Sequence, residues 1–285
     1  MNKHVDGFTS KPLRTEKAGV IVTRVGVNLG AEISGVDLTG KLSDAQFEAI
    51  NEALVEHALV IFHDQDISSA NLMDFGRRFG ELTVHPFAPN EGKNAPELIK
   101  FRNDETTPPF GTDVWHSDET FRAEPPMATI LCAKEVPAVG GDTMFVSMAA
   151  AYDGLSEKMQ QYISGLEGIH DMKPFRPLFG KSEEERKTLQ HFEIMYPPVL
   201  HRSCAFTPFR DARCCSSIRS SPSASTAWTN VKAASCSTRC SIRRWCRSIS
   251  TVITGSRTRL RCGTTARRST TPSTTTIRSA ATWSA

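Results

Sequence analysis

Short apolar runs recur along the first 200 residues and predict β-strands. The first run covers 20–27 and is rich in valine, and a turn-rich strand edge follows at 30–38. The run at 58–62 is short and wholly apolar, which is typical of a strand buried on both faces. Similar runs at 127–133 and 143–146 predict two more strands.

Apolar residues three or four positions apart predict amphipathic helices between these strands. Ser43 begins the first helix, and Gln46 three residues later completes a capping box. A second helix is predicted around Leu72 and Phe75, with Gly80 as its C-terminal cap. Two further helices are predicted over 156–166 and 181–192, the latter strongly charged.

Composition divides the chain near residue 202. Residues 1–202 carry 20 Lys and Arg against 30 Asp and Glu, a net charge of −10. Residues 203–285 carry 14 basic residues and one acidic residue, a net charge of +13. All eight histidines lie at or before His201, and seven of the eight cysteines lie at or after Cys204. The chain is therefore not one evenly built domain.

The first part has the composition of a cytoplasmic protein. Its single cysteine, Cys132, allows no disulfide framework. The chain has no apolar run of 18 or more residues, and the segment 1–14 has no apolar core of a secretory signal. We therefore expect a cytoplasmic protein with no membrane partner.

Candidate chemistry is concentrated between residues 85 and 143. His116 and Asp118 are two positions apart, so on a strand their side chains would point to one face. An imidazole and a carboxylate placed in this way supply two of the three ligands of a 2-His-1-carboxylate iron site. A His-x-Asp triplet is common, however, and is not specific by itself.

The surrounding motifs resemble the TauD/TfdA family of taurine dioxygenases. The resemblance is carried by WHSDETFRAEPPMATILCAKEVPAVGGDT at 115–143, with GAEISGVDL, FGELTVHPF and AAYDGLS at 30–38, 79–87 and 150–156. It implies a mixed α+β, mainly β fold, a double-stranded β-helix (jelly roll) with flanking helices. The expected organisation is a flexible N-terminus at 1–18, an incomplete dioxygenase domain at 19–201 and a basic tail at 202–285.

The same resemblance implies a role for four residues. His116 and Asp118 would be the catalytic metal ligands, Thr143 would hydrogen-bond 2-oxoglutarate, and His85 would line the substrate pocket. Ala88 stands where taurine-specific members have a tyrosine, which argues against taurine itself.

The implied reaction uses Fe(II), O₂ and 2-oxoglutarate as cosubstrate. A small organic acid, for example an alkyl sulfonate such as taurine, would be hydroxylated with release of succinate and CO₂. The implied partner is a small anionic molecule, not nucleic acid or membrane, and an intact C-terminus would imply a homo-oligomer.

The family pattern also requires a distal histidine and a later arginine, and the chain has no histidine after His201. Back-translation of 262–283, read from the third base of each codon, permits WDNRATQHYAVNDYYPQRRYM, which resembles the missing segment. The same shift from Ala212 onward permits KVLFVNP. We infer that one base was lost near codon 202, in the gene or in its sequencing.

A frameshift predicts that the tail is disordered, that the C-terminal strands are missing, and that the written chain is inactive. One alternative is a non-catalytic remnant of the family. Another is a nucleic-acid-associated protein with a basic arm, although the tail has few aromatic residues. A zinc site formed by Cys236, Cys240, Cys246 and Cys262 is a further alternative, with irregular spacing and no histidine.

Overall fold

The structure is a computed structural model that describes most of the first 207 residues and four short segments beyond them. The described ranges are 13–86, 95–102, 116–136, 143–179, 182–207, 212–215, 250–253, 259–263 and 276–281.

The fold begins with three antiparallel strands. They are β1 Arg14–Lys17, β2 Val20–Arg24 and β3 Ala31–Ser34. The turn between β1 and β2 contains Gly19, whose carbonyl oxygen would lie 2.2 Å from a Cβ at Gly35. Gly35 also has φ +80°, so both space and backbone conformation require glycine there.

A helix, a strand and a second helix follow. They are α1 Asp44–His57, β4 Leu59–His63 and α2 Ser69–Arg77. Ser43 and Gln46 form the predicted capping box of α1. Strand β4 pairs in parallel with β3, and it confirms the apolar run at 58–62.

The middle of the chain alternates short strands with helices. In order these are β5 Ile99–Phe101, β6 Ala128–Ala133, β7 Thr143–Val146, α3 Met148–Asp153, α4 Glu157–Ile163, β8 Glu167–His170, a 3₁₀ helix Lys173–Phe179, α5 Glu183–Met195 and β9 Val199–Arg202. Strands β6 and β7 confirm the apolar runs, and α4 and α5 confirm the two later helices within a few residues at each end.

The described part of the tail contributes five strands: β10 Cys204–Thr207, β11 Ala212–Cys215, β12 Ser250–Ile253, β13 Arg259–Gly263 and β14 Thr276–Ala281. The largest sheet has the order β1-β2-β3-β4-β13-β6-β14-β5, and three two-stranded sheets pair β10 with β11, β12 with β7, and β8 with β9. Helices and strands are therefore mixed, and most strand pairs are antiparallel.

Strand β4 lies between two hydrophobic clusters. Val60 and Phe62 pack into the larger cluster, together with fully buried residues such as Ile50 and Leu72 from the helices. Leu59 and Ile61 point to the other face and pack with Leu29 and Phe145. Because successive side chains alternate between faces, a strand buried on both faces reads as a continuous apolar run.

Two expectations about local structure are wrong. Residues 14–17 fall in the segment expected to be flexible, but they form β1, which is exposed along its whole length and held by its backbone ladder to β2. The C-terminal cap of α2 is Arg78 in a right-handed conformation, not Gly80. Residues 1–12 lie outside the described ranges.

The expected disorder of the tail stays a prediction, because most of 203–285 lies outside the described residues, but the described tail segments form strands. Strand β13 pairs with β4 and β6, and β14 pairs with β6 and β5. An unpaired strand presents free backbone N–H and C=O groups, and almost any extended segment can satisfy them. The β-branched residues of β12 also favour an extended backbone.

Candidate metal centre

The predicted ligand pair lies at a turn and not on a strand. His116 and Ser117 precede a turn that begins at Asp118, and the backbone N–H of Arg122 donates to the carbonyl of Glu119 at 3.1 Å. Glu119 has φ +51°, a left-handed conformation that no regular strand contains. The strand geometry considered for this pair is therefore not formed, but the turn still brings the two side chains together.

His116 and Asp118 form the centre of the candidate site. Nε2 of His116 lies 3.5 Å from Oδ1 of Asp118, and their side chains are 20% and 10% exposed. The hydroxyl of Thr129 on β6 donates to Oδ2 of Asp118 at 2.9 Å. One carboxylate oxygen is thus held by the sheet while the other lies beside the imidazole, the arrangement that orients a metal-binding carboxylate.

The acidic and basic residues of the turn connect it to the segment before His85. Nε of Arg122 donates to Oε2 of Glu119 at 2.5 Å. A second nitrogen of the same guanidinium donates to the carbonyl of Val84 at 2.8 Å. Arg122 also lies over the ring of Tyr196, 5.3 Å from its centroid. The guanidinium therefore ties together three segments distant in sequence.

His85, the predicted substrate-pocket residue, is buried close to the same turn. Its ring meets Phe121 edge to face, with 6.1 Å between ring centroids. Phe121 is itself buried and packs against Phe175 and Tyr196. The fold thus places His85 beside the turn that carries Asp118, whereas Ala88 lies outside the described residues.

Thr143, the predicted 2-oxoglutarate contact, is buried at the first position of β7. Its backbone pairs with Ile253 of β12. The structure places this residue in the sheet, and its role toward a cosubstrate stays a prediction.

Sequence reasoning missed two histidines next to the turn. Nε2 of His201, on β9, lies 3.0 Å from the carbonyl oxygens of both Thr120 and Arg122. The ring of His170, on β8, packs edge to face against that of His201 at 4.9 Å. Burial lowers the pKa of His170, His201 lowers it further, and Asp171 partly opposes them. No local motif marks these positions, because the contacts span about 80 residues.

The donor set suits part of an Fe(II) site. An imidazole nitrogen and an oriented carboxylate are two ligands of a 2-His-1-carboxylate centre, and both belong to His116 and Asp118. Within the described ranges, no group of three or more His, Cys, Asp and Glu side chains is placed to hold a metal ion. Since no histidine follows His201 in the sequence, the third ligand of such a centre is not supplied by the segment expected to carry it.

A histidine and a carboxylate held together in a turn, with the carboxylate bound to Thr129 of strand β6, define a candidate mononuclear metal centre of the kind used by non-haem iron oxygenases. The chain belongs to the taurine catabolism dioxygenase TauD, TfdA family, whose family model matches residues 21–237. The match begins near the predicted boundary at 19 and extends beyond the expected boundary at 201.

Relatives with assigned reactions use α-ketoglutarate. The chain is 32% identical over 220 residues to an α-ketoglutarate-dependent sulfonate dioxygenase of Saccharomyces cerevisiae, covering 70% of this chain and 52% of the relative. It is 33% identical to an α-ketoglutarate-dependent sulfate ester dioxygenase of Pseudomonas putida, covering 60% and 58%. It is 31% identical to an (S)-phenoxypropionate/α-ketoglutarate dioxygenase of Delftia acidovorans, covering 53% and 54%. The chain therefore spans about half the length of these relatives.

Solved structures share the fold. A taurine dioxygenase from Burkholderia xenovorans superimposes with a TM-score of 0.69 at 21% identity, covering 93% of this chain and 92% of that chain. AAD-2 in complex with Mn(II) and N-oxalylglycine also gives 0.69 at 21% identity, covering 93% and 98%. In the part of the chain that the structure describes, no helix has the length and apolar character needed to cross a membrane.

Proposed function

We propose that the gene of this chain encodes an Fe(II)/2-oxoglutarate-dependent dioxygenase that hydroxylates a small organic acid. The observation that supports this best is the pair His116 and Asp118, with 3.5 Å between Nε2 and Oδ1, whose carboxylate is oriented by Thr129. Membership of the family supplies the reaction type.

Three residues hold the reactants in this proposal. His116 and Asp118 bind the iron, and the hydroxyl of Thr143 hydrogen-bonds 2-oxoglutarate. When bound, Fe(II) would supply O₂ activation, which would couple conversion of 2-oxoglutarate to succinate and CO₂ with hydroxylation of a substrate C–H bond. The buried ring of His85 contacts the substrate, and its packing against Phe121 shields that side from water.

The substrate class is an organic anion. The named relatives act on sulfonates, sulfate esters and a phenoxypropionate, which share an acidic group on a small organic body. Taurine belongs to this class, but Ala88 in place of a tyrosine disfavours it. We also propose a cytoplasmic location, a jelly roll completed by in-frame C-terminal strands, a homo-oligomer when that terminus is intact, and no binding of nucleic acid.

The 285-residue chain as written is proposed to be inactive. Two ligands remain, and within the described residues no third His, Cys, Asp or Glu joins them. The lost reading frame accounts for this, since the shifted frame of 262–283 permits a segment with both a histidine and an arginine. A non-catalytic remnant of the family is the alternative if the base is absent from the gene.

Sequencing the coding DNA across codons 195–210 tests the reading frame. A base that the written sequence lacks would show that the loss arose in sequencing, and it would restore the frame that contains the missing histidine and arginine. If the base is truly absent from the gene, the natural product is the remnant.

An activity assay then tests the function. Succinate release from 2-oxoglutarate is measured with Fe(II) and a panel of sulfonates, sulfate esters and phenoxypropionates. The written chain is compared with a chain whose frame is restored by one base, and with the His116→Ala variant of the restored chain. Release by the restored chain alone supports the proposal. Turnover by the written chain, or turnover that survives His116→Ala, would overturn it.

A further inference from the structure

We propose that His201 is a positioning residue that fixes the turn carrying the metal ligand Asp118. The proposal rests on the proposed function, because it takes His116 and Asp118 as the ligands. It assigns a role to a histidine that lies on β9, outside the ligand motif.

The hydrogen-bonding pattern of His201 carries the argument. Nε2 lies 3.0 Å from the carbonyl oxygen of Thr120 and 3.0 Å from that of Arg122. Carbonyl oxygens only accept hydrogen bonds, so the ring must carry a hydrogen on Nε2 and share it between them. A single N–H thus binds two carbonyl oxygens at the end of the turn that begins at Asp118.

The turn needs such support because its backbone is not in a regular conformation. Glu119 is held at φ +51°, which an L-residue adopts only where its surroundings impose it. The two carbonyls bound by His201 follow one and three residues after Glu119. The bonds from His201 thus add to the Arg122 to Glu119 backbone bond and to the bond between Thr129 and Asp118, and they hold the end of the turn that those bonds do not reach.

The ring of His201 is itself held in place by the two-stranded sheet of β8 and β9. His201 stands opposite Gly168 in the strand pairing, and His170 stands opposite Val199. His170 and His201 are therefore diagonal neighbours on one face, which agrees with the 4.9 Å between their ring centroids. The absence of a side chain at Gly168 leaves that face open for the two rings.

Hydrogen exchange of the 285-residue chain without metal tests directly whether the hydrogen bonds from His201 hold the turn. His201→Leu removes the donor, His201→Gln keeps an N–H that can reach a carbonyl, and His191→Leu removes an exposed histidine on α5 as the matched control. We expect amides in 116–122 to exchange about tenfold faster in His201→Leu than in His191→Leu, with recovery in His201→Gln and no change in α1. Equal exchange in His201→Leu and His191→Leu would overturn the proposal.

A second readout separates this inference from the proposed function. Binding of Mn(II) alone is measured by electron paramagnetic resonance for the frame-restored chain as the parent and for its His116→Ala, His201→Leu and His201→Gln variants. We expect His201→Leu to weaken Mn(II) about tenfold and His201→Gln to restore it. If His116→Ala leaves Mn(II) binding unchanged, the proposed metal centre fails. If His116→Ala abolishes it while His201→Leu matches the parent, the positioning role fails.

Discussion

Arg122 and Glu119 form an ion pair that is largely withdrawn from water. Nε and Oε2 are 2.5 Å apart, and the two side chains are 18% and 4% exposed. A carboxylate buried to this extent is tolerated because the guanidinium neutralises it and also binds the carbonyl of Val84. The pair therefore connects the turn of Asp118 to the segment of His85.

Removing the guanidinium is expected to destabilise the fold strongly. Arg122→Leu removes the cation that lies against the buried carboxylate of Glu119, which is expected to cost about 3–5 kcal/mol in the free energy of unfolding. Urea unfolding followed by circular dichroism measures the change. The double variant Arg122→Leu with Glu119→Gln removes the buried charge and is expected to recover part of the loss. An equal loss in both variants would contradict an electrostatic origin.

The hydroxyl of Thr129 is expected to stabilise the chain through Asp118. Thr129→Val keeps the shape and β-branching of the side chain but removes the donor to Oδ2 of Asp118, a bond of 2.9 Å. Hydrogen bonds to charged groups contribute about 1.5–3 kcal/mol, and we expect a loss of that size in urea unfolding. Thr129→Ser retains the hydroxyl and serves as the control. Identical unfolding midpoints for the two variants would refute the bond's contribution.

Elements with local signals could be predicted from the sequence. The capping box of Ser43 and Gln46 and the strand at 143–146 are both determined by residues within a few positions. The motif predicts that His116 and Asp118 share a site, and the structure brings the two side chains together, while their role as metal ligands stays a prediction. Family membership is confirmed by the match over 21–237.

Features that depend on distant partners could not be predicted. The turn at Asp118 is held by Thr129, Arg122 and His201, and the contact with His201 crosses about 80 residues. Strand β1 is exposed along its length, so no alternation of apolar and polar residues predicts it. Strand β13 pairs with β4 and β6 through backbone groups. Because every residue has such groups, the side chains of the tail give no signal that predicts this pairing.

Replacing Ala58, at the C-terminal end of α1, with glycine is expected to stabilise the chain. Ala58 caps the helix at φ 59°, and its N–H donates to the carbonyl of Leu54 at 2.7 Å. Because glycine adopts this conformation without a Cβ clash, Ala58→Gly is expected to add about 0.5–1 kcal/mol to the free energy of unfolding. Ala53→Gly, inside the same helix, should instead cost about 1 kcal/mol. Destabilisation of similar size by both would show that Ala58 carries no strain.

The pKa of His170 predicts a loss of stability in mild acid. Burial, with a smaller effect of His201, holds the pKa of His170 below its ordinary value of 6.5 in the folded chain, against the weaker opposing effect of Asp171. Below about pH 6.5 the unfolded chain therefore binds a proton at His170 that the folded chain does not yet bind. The free energy of unfolding thus decreases as the pH falls from about 6.5 toward the folded-state pKa of His170. Urea unfolding at about pH 7.5, 6.5 and 5.5 measures this slope. His170→Gln cannot take up the proton and should flatten the slope, whereas His191→Gln, at an exposed position of α5, should leave it unchanged. If His170→Gln shows the same dependence of the free energy of unfolding on pH as the parent chain, other groups cause the loss of stability in acid.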